Sequence, residues 1–491
     1  MNLSIILLYL AALLGFGWWG KRRAGSTSDY LVAGRGLGGV LYVGTMCAVV
    51  LGGASTVGGV GLGYRYGISG MWLVVSIGVG VLLLGLFFAA RIQQLQIYTV
   101  SEMLKLRYGI DLTAASGTVM MAYTLMLTVT STIAYATIFT VLFGADRTLS
   151  VVVGGGVVVA YSAMGGMWSI TLTDIVQFAI KTIGVFFLLL PFAWHRAGGY
   201  HGIRERLGPV AFHPTTIGIG TIITFFVVYC LGILIGQDIW QRVFTAKSPG
   251  VARWGGVVAG IYCLLYGVAG AAIGVAASAV IPGIAAKDDV YAEIAQQSLP
   301  VGLSGIVLAA AVAAMMSTSS GALLATATVA RRDILPTFSR IAGRGRKERE
   351  AATGDSELDG SRRYVIAIGA VAVVLAVLIH DIVSALTIAY DILVGGLLVP
   401  ILGGLVWTRA TGLGAIAAMA AGTVATVSTF SVMGDVLANE PVYIGLSSAS
   451  VVFVVVSLLT PPTPVSTRAA WLARSRGQVG AAPQQETELA R

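Results

Sequence analysis

Leu308 to Leu324 reads LAAAVAAMMSTSSGALL, and the rest of the chain can be understood by working outward from this stretch. It is long and apolar enough to lie in a membrane, yet it contains four consecutive hydroxyl residues, Ser317 to Ser320. In hydrocarbon such side chains need hydrogen-bond partners, and adjacent ones can offer several oxygen atoms to a small hard cation. Each hydroxyl could instead donate to the carbonyl group one turn earlier in its own helix. Four together, in a helix rich in Ala and Gly that can pack closely, favour an ion site.

The composition of the whole chain identifies a polytopic membrane protein. Hydrophobic residues make up 56% of the 491 residues and charged residues only 11%, with a mean hydropathy of +0.86, whereas soluble proteins carry about 25% charged residues. The first apolar run, 3–19, is interpreted as a retained helix rather than a signal peptide, since Lys21 to Arg23 follow it directly. The basic residues fall in loops between spans and the three Cys lie in apolar runs, so neither nucleic-acid binding nor a disulfide framework is indicated.

Enzyme chemistry is not indicated either. The apolar segments contain no paired carboxylates, no nucleophile with a neighbouring base and no metal cluster. Three of the four His residues lie in segment 195–214, but their spacing matches no transition-metal motif. We therefore expect no catalytic residues and no transition metal, and a lipid bilayer as the surroundings of the chain.

Windows of about 20 apolar residues predict thirteen membrane spans, and hence an all-α fold. They cover residues 3–19, 39–64, 70–90, 113–143, 148–164, 168–194, 215–240, 251–281, 301–330, 364–380, 382–407, 412–434 and 441–459. With the N-terminus outside, most of the 31 Lys and Arg residues fall on the inner side, as the positive-inside rule requires. The C-terminus is then cytoplasmic, in a plasma (inner) membrane.

Glycines interrupt two of these spans. Gly52-Gly53 and Gly58-Gly59 stand in the second span, and Gly232 and Gly236 stand in the seventh. Close helix packing through small residues explains many membrane glycines. These two spans, however, are five apart in order, and interrupted helices at corresponding positions of two halves indicate the binding site of an inverted-repeat transporter. The pattern therefore predicts a 5+5 core with broken helices 2 and 7.

This pattern divides the chain into six parts. They are a peripheral first helix with a cytoplasmic loop (1–38), a first five-helix repeat (39–194), an external loop (195–214), a second repeat (215–407) with a cytoplasmic loop (331–363), two peripheral helices (408–460) and a disordered cytoplasmic tail (461–491). The tail is expected to be disordered because it is rich in Arg, Pro and Gln.

Several motifs, in order along the chain, resemble the sodium:solute symporter family. They are DYLVAGRGLGG (Asp29 to Gly39), YSAMGGMWSITLTDIVQ (Tyr161 to Gln177), QRVFTAKS (Gln241 to Ser248), AAVAAMMSTSS (Ala310 to Ser320), ARRD (Ala330 to Asp333) and AYDILVGGLLVPILGGLVWTRAT (Ala389 to Thr411). The resemblance implies the leucine-transporter-type inverted-repeat fold, which the glycine pattern indicates independently.

The same resemblance implies a sodium site. Its ligands would be the backbone carbonyls of Ala48, Leu51 and Ala314 and the hydroxyls of Ser317 and Thr318. Asp174 matches an acidic position that relatives place close to this site, and ionisable groups within a span are usually functional. The alternatives are that Asp174 only caps a helix end, or that Lys181, two turns further on, is its distant charge partner.

The substrate pocket is predicted less sharply. Its candidate residues are Ser55, Thr56, Tyr229, Gln237 and Asp391. No Lys or Arg lies near the expected pocket, whereas Asp238 and Asp391 lie in or near core helices, which favours an amine or a zwitterion. Val50 replaces an acidic residue of proline-transporting relatives, and Val74 and Ile77 replace polar sugar contacts, so the family likeness argues against both substrates.

The resulting prediction is a secondary active transporter that moves Na⁺ together with a small organic solute by alternating access. Two alternatives remain. A proton-coupled transporter is the nearer one, and replacing sodium in uptake assays separates it. A membrane sensor of the same fold is the other, and the lack of a kinase-like segment after Pro461 argues against it.

Overall fold

The computed structural model describes residues 2–144, 146–341, 354–379, 382–433 and 439–478. Within these ranges the chain forms helices and connecting loops, with a single isolated β-bridge between Leu37 and Ala246. The helices up to the middle of the chain are α1 (Asn2–Arg23), α2 (Thr27–Val32), α3 (Gly39–Val50), α4 (Gly59–Tyr66), α5 (Trp72–Leu83), α6 (Ala89–Gln94), α7 (Val100–Tyr108), α8 (Thr113–Phe143), α9 (Arg147–Thr182), α10 (Leu190–Arg196), α11 (Gly199–Leu207), α12 (Ile219–Phe225), α13 (Leu231–Ile233) and α14 (Gln237–Val243).

The remaining helices are longer on average. They are α15 (Pro249–Val280), α16 (Val290–Ser298), α17 (Leu303–Val329), α18 (Leu335–Ile341), α19 (Gly354–Leu378), α20 (Ile382–Val406), α21 (Gly412–Met433), α22 (Glu440–Leu459) and α23 (Val465–Ser475). π-Helical turns lead into α4 and join α5 to α6, α9 to α10, α12 to α13 and α17 to α18. Nine helices in the described ranges are long and apolar enough to cross a membrane, or ten if one bent pair counts as a span.

Helix α17 carries the stretch from Leu308 to Leu324 and lies at the centre of the molecule. Every residue from Val307 to Val329 is buried. The helix packs against α8, α9, α3 and α14, and its many Ala and Gly residues allow these neighbours to approach closely. The hydroxyls in its middle therefore face protein on all sides rather than lipid.

The predicted break in the second span is confirmed. Helix α3 ends at Val50, Leu51 has the non-helical angles φ −98° and ψ 73°, and helical structure resumes at Ala54. A Cβ atom added at Gly52 would collide with the side chain of Thr318 on α17. Glycine is needed here because the broken segment lies directly against the central helix.

The predicted break in the seventh span is confirmed as well. The segment Ile219–Ile233 and helix α14 meet at an angle of 48° across the loop Leu234 to Gly236. An added Cβ at Gly232 would collide with the ring of Tyr390 on α20, so this glycine also serves a close approach.

Three segments that were predicted as loops or as a disordered tail contain helices. Residues 465–475 of the expected disordered tail form α23, which buries Trp471 and donates a hydrogen bond from Arg474 Nε to the Leu95 carbonyl (2.8 Å). Composition indicated disorder because it does not register a short helix that docks through one aromatic side chain. The expected loop 331–363 is helical at both ends, and 195–214 contains α11. Residues 342–353 and 479–491 lie outside the described ranges.

Candidate functional site

A buried ion pair joins the two halves of the predicted core. Asp174 lies on α9 and Arg242 on α14, with 3.2 Å between Asp174 Oδ2 and Arg242 Nη2, and neither side chain has exposed surface. Ser317 on α17 donates to Asp174 Oδ1 (2.6 Å), and Thr45 on α3 donates to Oδ2. One carboxylate thus connects four helices, including one arm of each broken span.

This geometry decides between the sequence interpretations of Asp174. The residue lies inside α9, well past the kink at Gly166, so it does not cap a helix end. Its direct charge partner is Arg242, while Lys181 acts on it only from a distance. Arg242 was not predicted as a site residue, because it follows the predicted span 215–240 and was assigned to a cytoplasmic loop. The available signal was the QRVF motif, which places Arg242 at the end of a broken span.

Lys181 binds the break in the second span. Its Nζ donates to the carbonyls of Cys47 (2.8 Å), Ala48 (3.3 Å) and Leu51 (3.3 Å). The carbonyls of Cys47 and Ala48 lie in the last turn of α3 and that of Leu51 directly follows it, where carbonyl groups lack the helical N–H partners of a helix interior. An ammonium group has three N–H donors, and three carbonyl oxygens surround it here.

Two of the four consecutive hydroxyls reach across to other elements near the break. Thr318 Oγ1 donates to the carbonyl of Val49 (2.8 Å) and lies 3.4 Å from the Ala314 carbonyl, while Ser317 donates to Asp174. The five predicted sodium ligands are therefore gathered on two facing elements, the end of α3 and the middle of α17. In this structure the three carbonyl oxygens accept from Lys181 or Thr318. The two hydroxyls donate to other groups.

The other two hydroxyls have different roles. Ser319 Oγ lies 3.3 Å from Thr132 Oγ1 on α8, and Ser320 Oγ donates to the Ser317 carbonyl (3.0 Å) within its own helix. Local back-bonding thus explains Ser320, whereas Ser317 and Thr318 connect α17 to the broken span and to Asp174.

Two adjoining cavities approach the break in the second span. The outer one reaches Lys287 and Asp288 in the loop after α15. The inner one reaches Thr318. Both are lined by Gly53, Ala54, Leu73, Ala134, Tyr229 and Leu386. A continuous path therefore runs from one loop of the protein to the break in the second span.

The inner cavity has a mostly apolar lining with a few hydroxyl groups. The hydroxyl residues are Ser55, Thr130, Ser131 and Thr318, together with the rings of Tyr229 and Tyr390. Among the described residues that line it, none is charged. Ser131 and Tyr390 were not among the predicted pocket residues, although Tyr390 stands in the AYDILV motif.

Only two of the five candidate pocket residues line these cavities. Ser55 and Tyr229 do. Thr56 Oγ1 lies 3.0 Å from the Tyr266 hydroxyl, and Gln237 accepts from the Val100 N–H (2.8 Å) and donates to the Tyr98 carbonyl (3.0 Å). The side chains of Thr56 and Gln237 thus brace neighbouring helices instead of facing the cavity, because a helix presents successive residues to different neighbours.

The acidic candidates also lie away from the cavity lining. Asp391 is buried, lines neither cavity and has no hydrogen-bond partner for Oδ1 among the described residues. Asp238 accepts from the Tyr123 hydroxyl (3.2 Å). The two acidic groups that favoured an amine or a zwitterion therefore do not line the cavities.

Comparison with known proteins agrees with these features. The sequence profile of the sodium:solute symporter family matches residues 30–422. The osmoregulated proline transporter OpuE of Bacillus subtilis (strain 168) is 27% identical over 86% of this chain and 88% of its own length. The sodium/pantothenate symporter of Escherichia coli (strain K12) is 25% identical over 86% of this chain and 90% of its own length.

A solved structure shares the fold. It is the substrate-bound, outward-open state of a Na⁺-coupled sialic acid symporter, with a TM-score of 0.82 at 18% identity, over 94% of this chain and 98% of that chain. Together with the family match over most of the chain, this gives the class of the protein. The chain belongs to the sodium:solute symporter family, and it is a multi-pass membrane transporter, not an enzyme, with Na⁺ as the coupling ion.

Proposed function

We propose that this protein is a secondary active transporter of the plasma membrane that carries Na⁺ and one small organic solute in the same direction by alternating access. The observation that carries the proposal is the path of two cavities that ends at the break in the second span, against the hydroxyls of α17. Broken helices that meet at mid-membrane are where transporters of this type bind substrate and ion. Sodium and solute then favour the same state, so each increases the affinity for the other.

The proposed sodium ligands are the carbonyls of Ala48, Leu51 and Ala314 and the hydroxyls of Ser317 and Thr318. Support comes from the ammonium of Lys181, which already lies against two of these carbonyls. A group of oxygens that accommodates one monovalent cation has the charge and polarity to accommodate another. Asp174 lies next to the proposed site through Ser317, and its charge is balanced by Arg242.

The proposed solute binds in the inner cavity and has a largely apolar body with a few hydrogen-bonding groups. None of the described residues that line this cavity carries a charge, so the lining offers no ionic partner to a charged solute, and the ring faces of Tyr229 and Tyr390 are the groups that could contact a positive charge. Ser131 supports a polar contact, since its side chain is 4% exposed, lines the cavity and has no hydrogen-bond partner among the described residues. Ring faces of Tyr229 and Tyr390 suit the apolar part.

We further propose thirteen spans, with repeats at 39–194 and 215–407. Two of the nine helices that could cross a membrane contain a glycine with a positive φ, Gly67 (66°) and Gly166 (53°). A Cβ added at Gly70 would touch the backbone of Leu62 and Gly63, which a straight helix keeps about 10 Å away. The chain therefore turns back near Gly67.

The same argument divides α9. Tyr161 and Ser169 stand on opposite sides of Gly166, yet both contact Gly17 of α1, although eight residues span about 12 Å in a straight helix. Dividing both long helices, and adding the bent pair and α1, gives thirteen spans. An odd count places the two termini on opposite sides of the membrane, and the distribution of Lys and Arg supports the N-terminus outside and the C-terminus in the cytoplasm.

Reporter fusions test this topology. We expect green fluorescent protein fused after Arg491 to fluoresce, because it folds in the cytoplasm, and alkaline phosphatase inserted in 199–207 to be active, because that segment is external. The reverse pattern at both positions would overturn the orientation. An active phosphatase at both positions would mean an even number of spans between residue 207 and the C-terminus and would contradict the seven that we propose there.

Uptake into proteoliposomes tests the function. For one member of a panel of labelled neutral solutes, carboxylates, amines and amino acids, we expect uptake to follow an inward sodium gradient. Thr137→Trp should abolish it, because Thr137 lines the outer cavity and a large side chain there fills the path. The matched control is Thr118→Trp, on the same helix at an exposed position, which should keep uptake. Equal uptake after sodium is replaced by N-methylglucamine would contradict sodium coupling.

A further inference from the structure

Lys181 is a buried cation at the place where the proposed function needs an ion. Its side chain has no exposed surface, and its Nζ donates to three carbonyl oxygens at the end of α3. Two of them, on Ala48 and Leu51, belong to the proposed sodium ligands. The ring of Tyr266 lies on another side of the ammonium, with 5.9 Å between Nζ and the ring centroid.

The position of Lys181 is not explained by pairing with an acid. The nearest described carboxylate on the same helix is that of Asp174, and this group is already held by Arg242, Ser317 and Thr45. The ammonium instead uses its three donors on backbone carbonyls that the break leaves without helical partners. Lys181 therefore acts towards the break as a bound cation would.

Sodium and this ammonium cannot use the carbonyls of Ala48 and Leu51 at the same time. Each cation needs the oxygen lone pairs directed at itself, and two positive charges a few ångströms apart repel each other strongly in a protein interior. For sodium to bind at these oxygens, the side chain of Lys181 has to withdraw along α9.

We infer that Lys181 is a tethered cation that competes with sodium for the break in the second span, and this inference rests on the sodium site of the proposed function. In the absence of sodium the ammonium satisfies the break and holds α3 against α9. Sodium binding has to displace it, so Lys181 weakens the apparent affinity for sodium. The ammonium of Lys181 and the sodium ion compete for the same backbone carbonyl oxygens.

Sodium-dependent thermal stabilisation of the purified full-length protein in detergent tests this inference without relying on transport. Ionic strength is kept constant with N-methylglucamine chloride. We expect Lys181→Met to lower the half-saturating sodium concentration at least tenfold relative to the wild type, which corresponds to about 1.4 kcal/mol. The matched control, Lys247→Met, removes an exposed lysine and should leave that concentration unchanged. A wild-type protein without a measurable response beside a responsive Lys181→Met variant would support the competition but contradict sodium coupling in the wild type.

Lys181→Gln provides a second variant if the Met variant does not fold, because its amide can still donate to the carbonyls but carries no charge. We expect it to bind sodium more tightly than the wild type too. A wild type that responds to sodium beside Lys181 variants with equal or weaker affinity would overturn the competition and leave the proposed function intact. No sodium response in the wild type or in either variant would overturn the sodium site itself, and the competition with it.

Discussion

Asp174→Asn is expected to lower the unfolding free energy by about 3–5 kcal/mol, the cost of removing one partner from a buried ion pair. The loss arises because Arg242 would remain charged on α14, without exposed surface and without its counter-charge. We expect Arg242→Met to have a similar effect, since it leaves the carboxylate of Asp174 buried. Thermal unfolding of the detergent-solubilised protein, followed by fluorescence-detected size exclusion, measures both effects.

The double variant Asp174→Asn/Arg242→Met tests whether the loss of stability comes from an unpaired buried charge or from the changed side chains. Neutral replacement of both members of a buried pair is often close to neutral for stability, so we expect the double variant to recover most of the loss. Asp359→Asn is the matched control. It breaks the pair with Arg362, in which the Asp359 side chain is 62% exposed, and exposed pairs contribute at most about 1 kcal/mol. If Asp174→Asn unfolds at the same temperature as the wild type, the pair does not determine stability.

The second large effect concerns sodium. We expect Ser317→Ala/Thr318→Ala to raise the half-saturating sodium concentration of uptake at least tenfold, since a factor of ten corresponds to about 1.4 kcal/mol. Each substitution removes one proposed oxygen ligand of the sodium ion, and removing a partner from a buried polar group costs about 1–3 kcal/mol. Apparent solute affinity should fall as well, because the coupling of sodium and solute is reciprocal. The helix should tolerate the change, since Ala has the highest helix propensity.

Ser319→Ala and Ser320→Ala are controls on the same helix. Ser319 faces Thr132 on α8, and Ser320 donates within α17, so we expect each to change the half-saturating sodium concentration much less. Comparable damage from Ser320→Ala, or normal sodium activation of the double variant, would mean that the sodium site lies elsewhere. Part of any effect of Ser317→Ala passes through Asp174, whose Oδ1 would lose its donor.

Several features of this protein could be predicted because they depend on composition or on short local patterns. The membrane class follows from the scarcity of charges, which hydrocarbon excludes at any position along the chain. The broken spans follow from paired glycines, because Gly loses more backbone conformational freedom in a helix than other residues and has a low helix propensity. A run of hydroxyls in an apolar helix needs partners wherever that helix lies, so Ser317 to Ser320 of α17 could be singled out, whereas the choice of Ser317 and Thr318 among them came from the resemblance to the family.

The pairing of side chains depended on the tertiary structure. Arg242 meets Asp174, and Lys181 meets the break in the second span, across long separations in sequence. Gln237 and Thr56 turn away from the cavity, while Ser131 and Tyr390 line it. Each of these outcomes depends on how far a helix is rotated about its axis, because one residue corresponds to about 100° on an α-helix of 3.6 residues per turn. Hydrophobic periodicity defines that rotation poorly in a helix that is apolar on every side, and only the packing of its neighbours determines it.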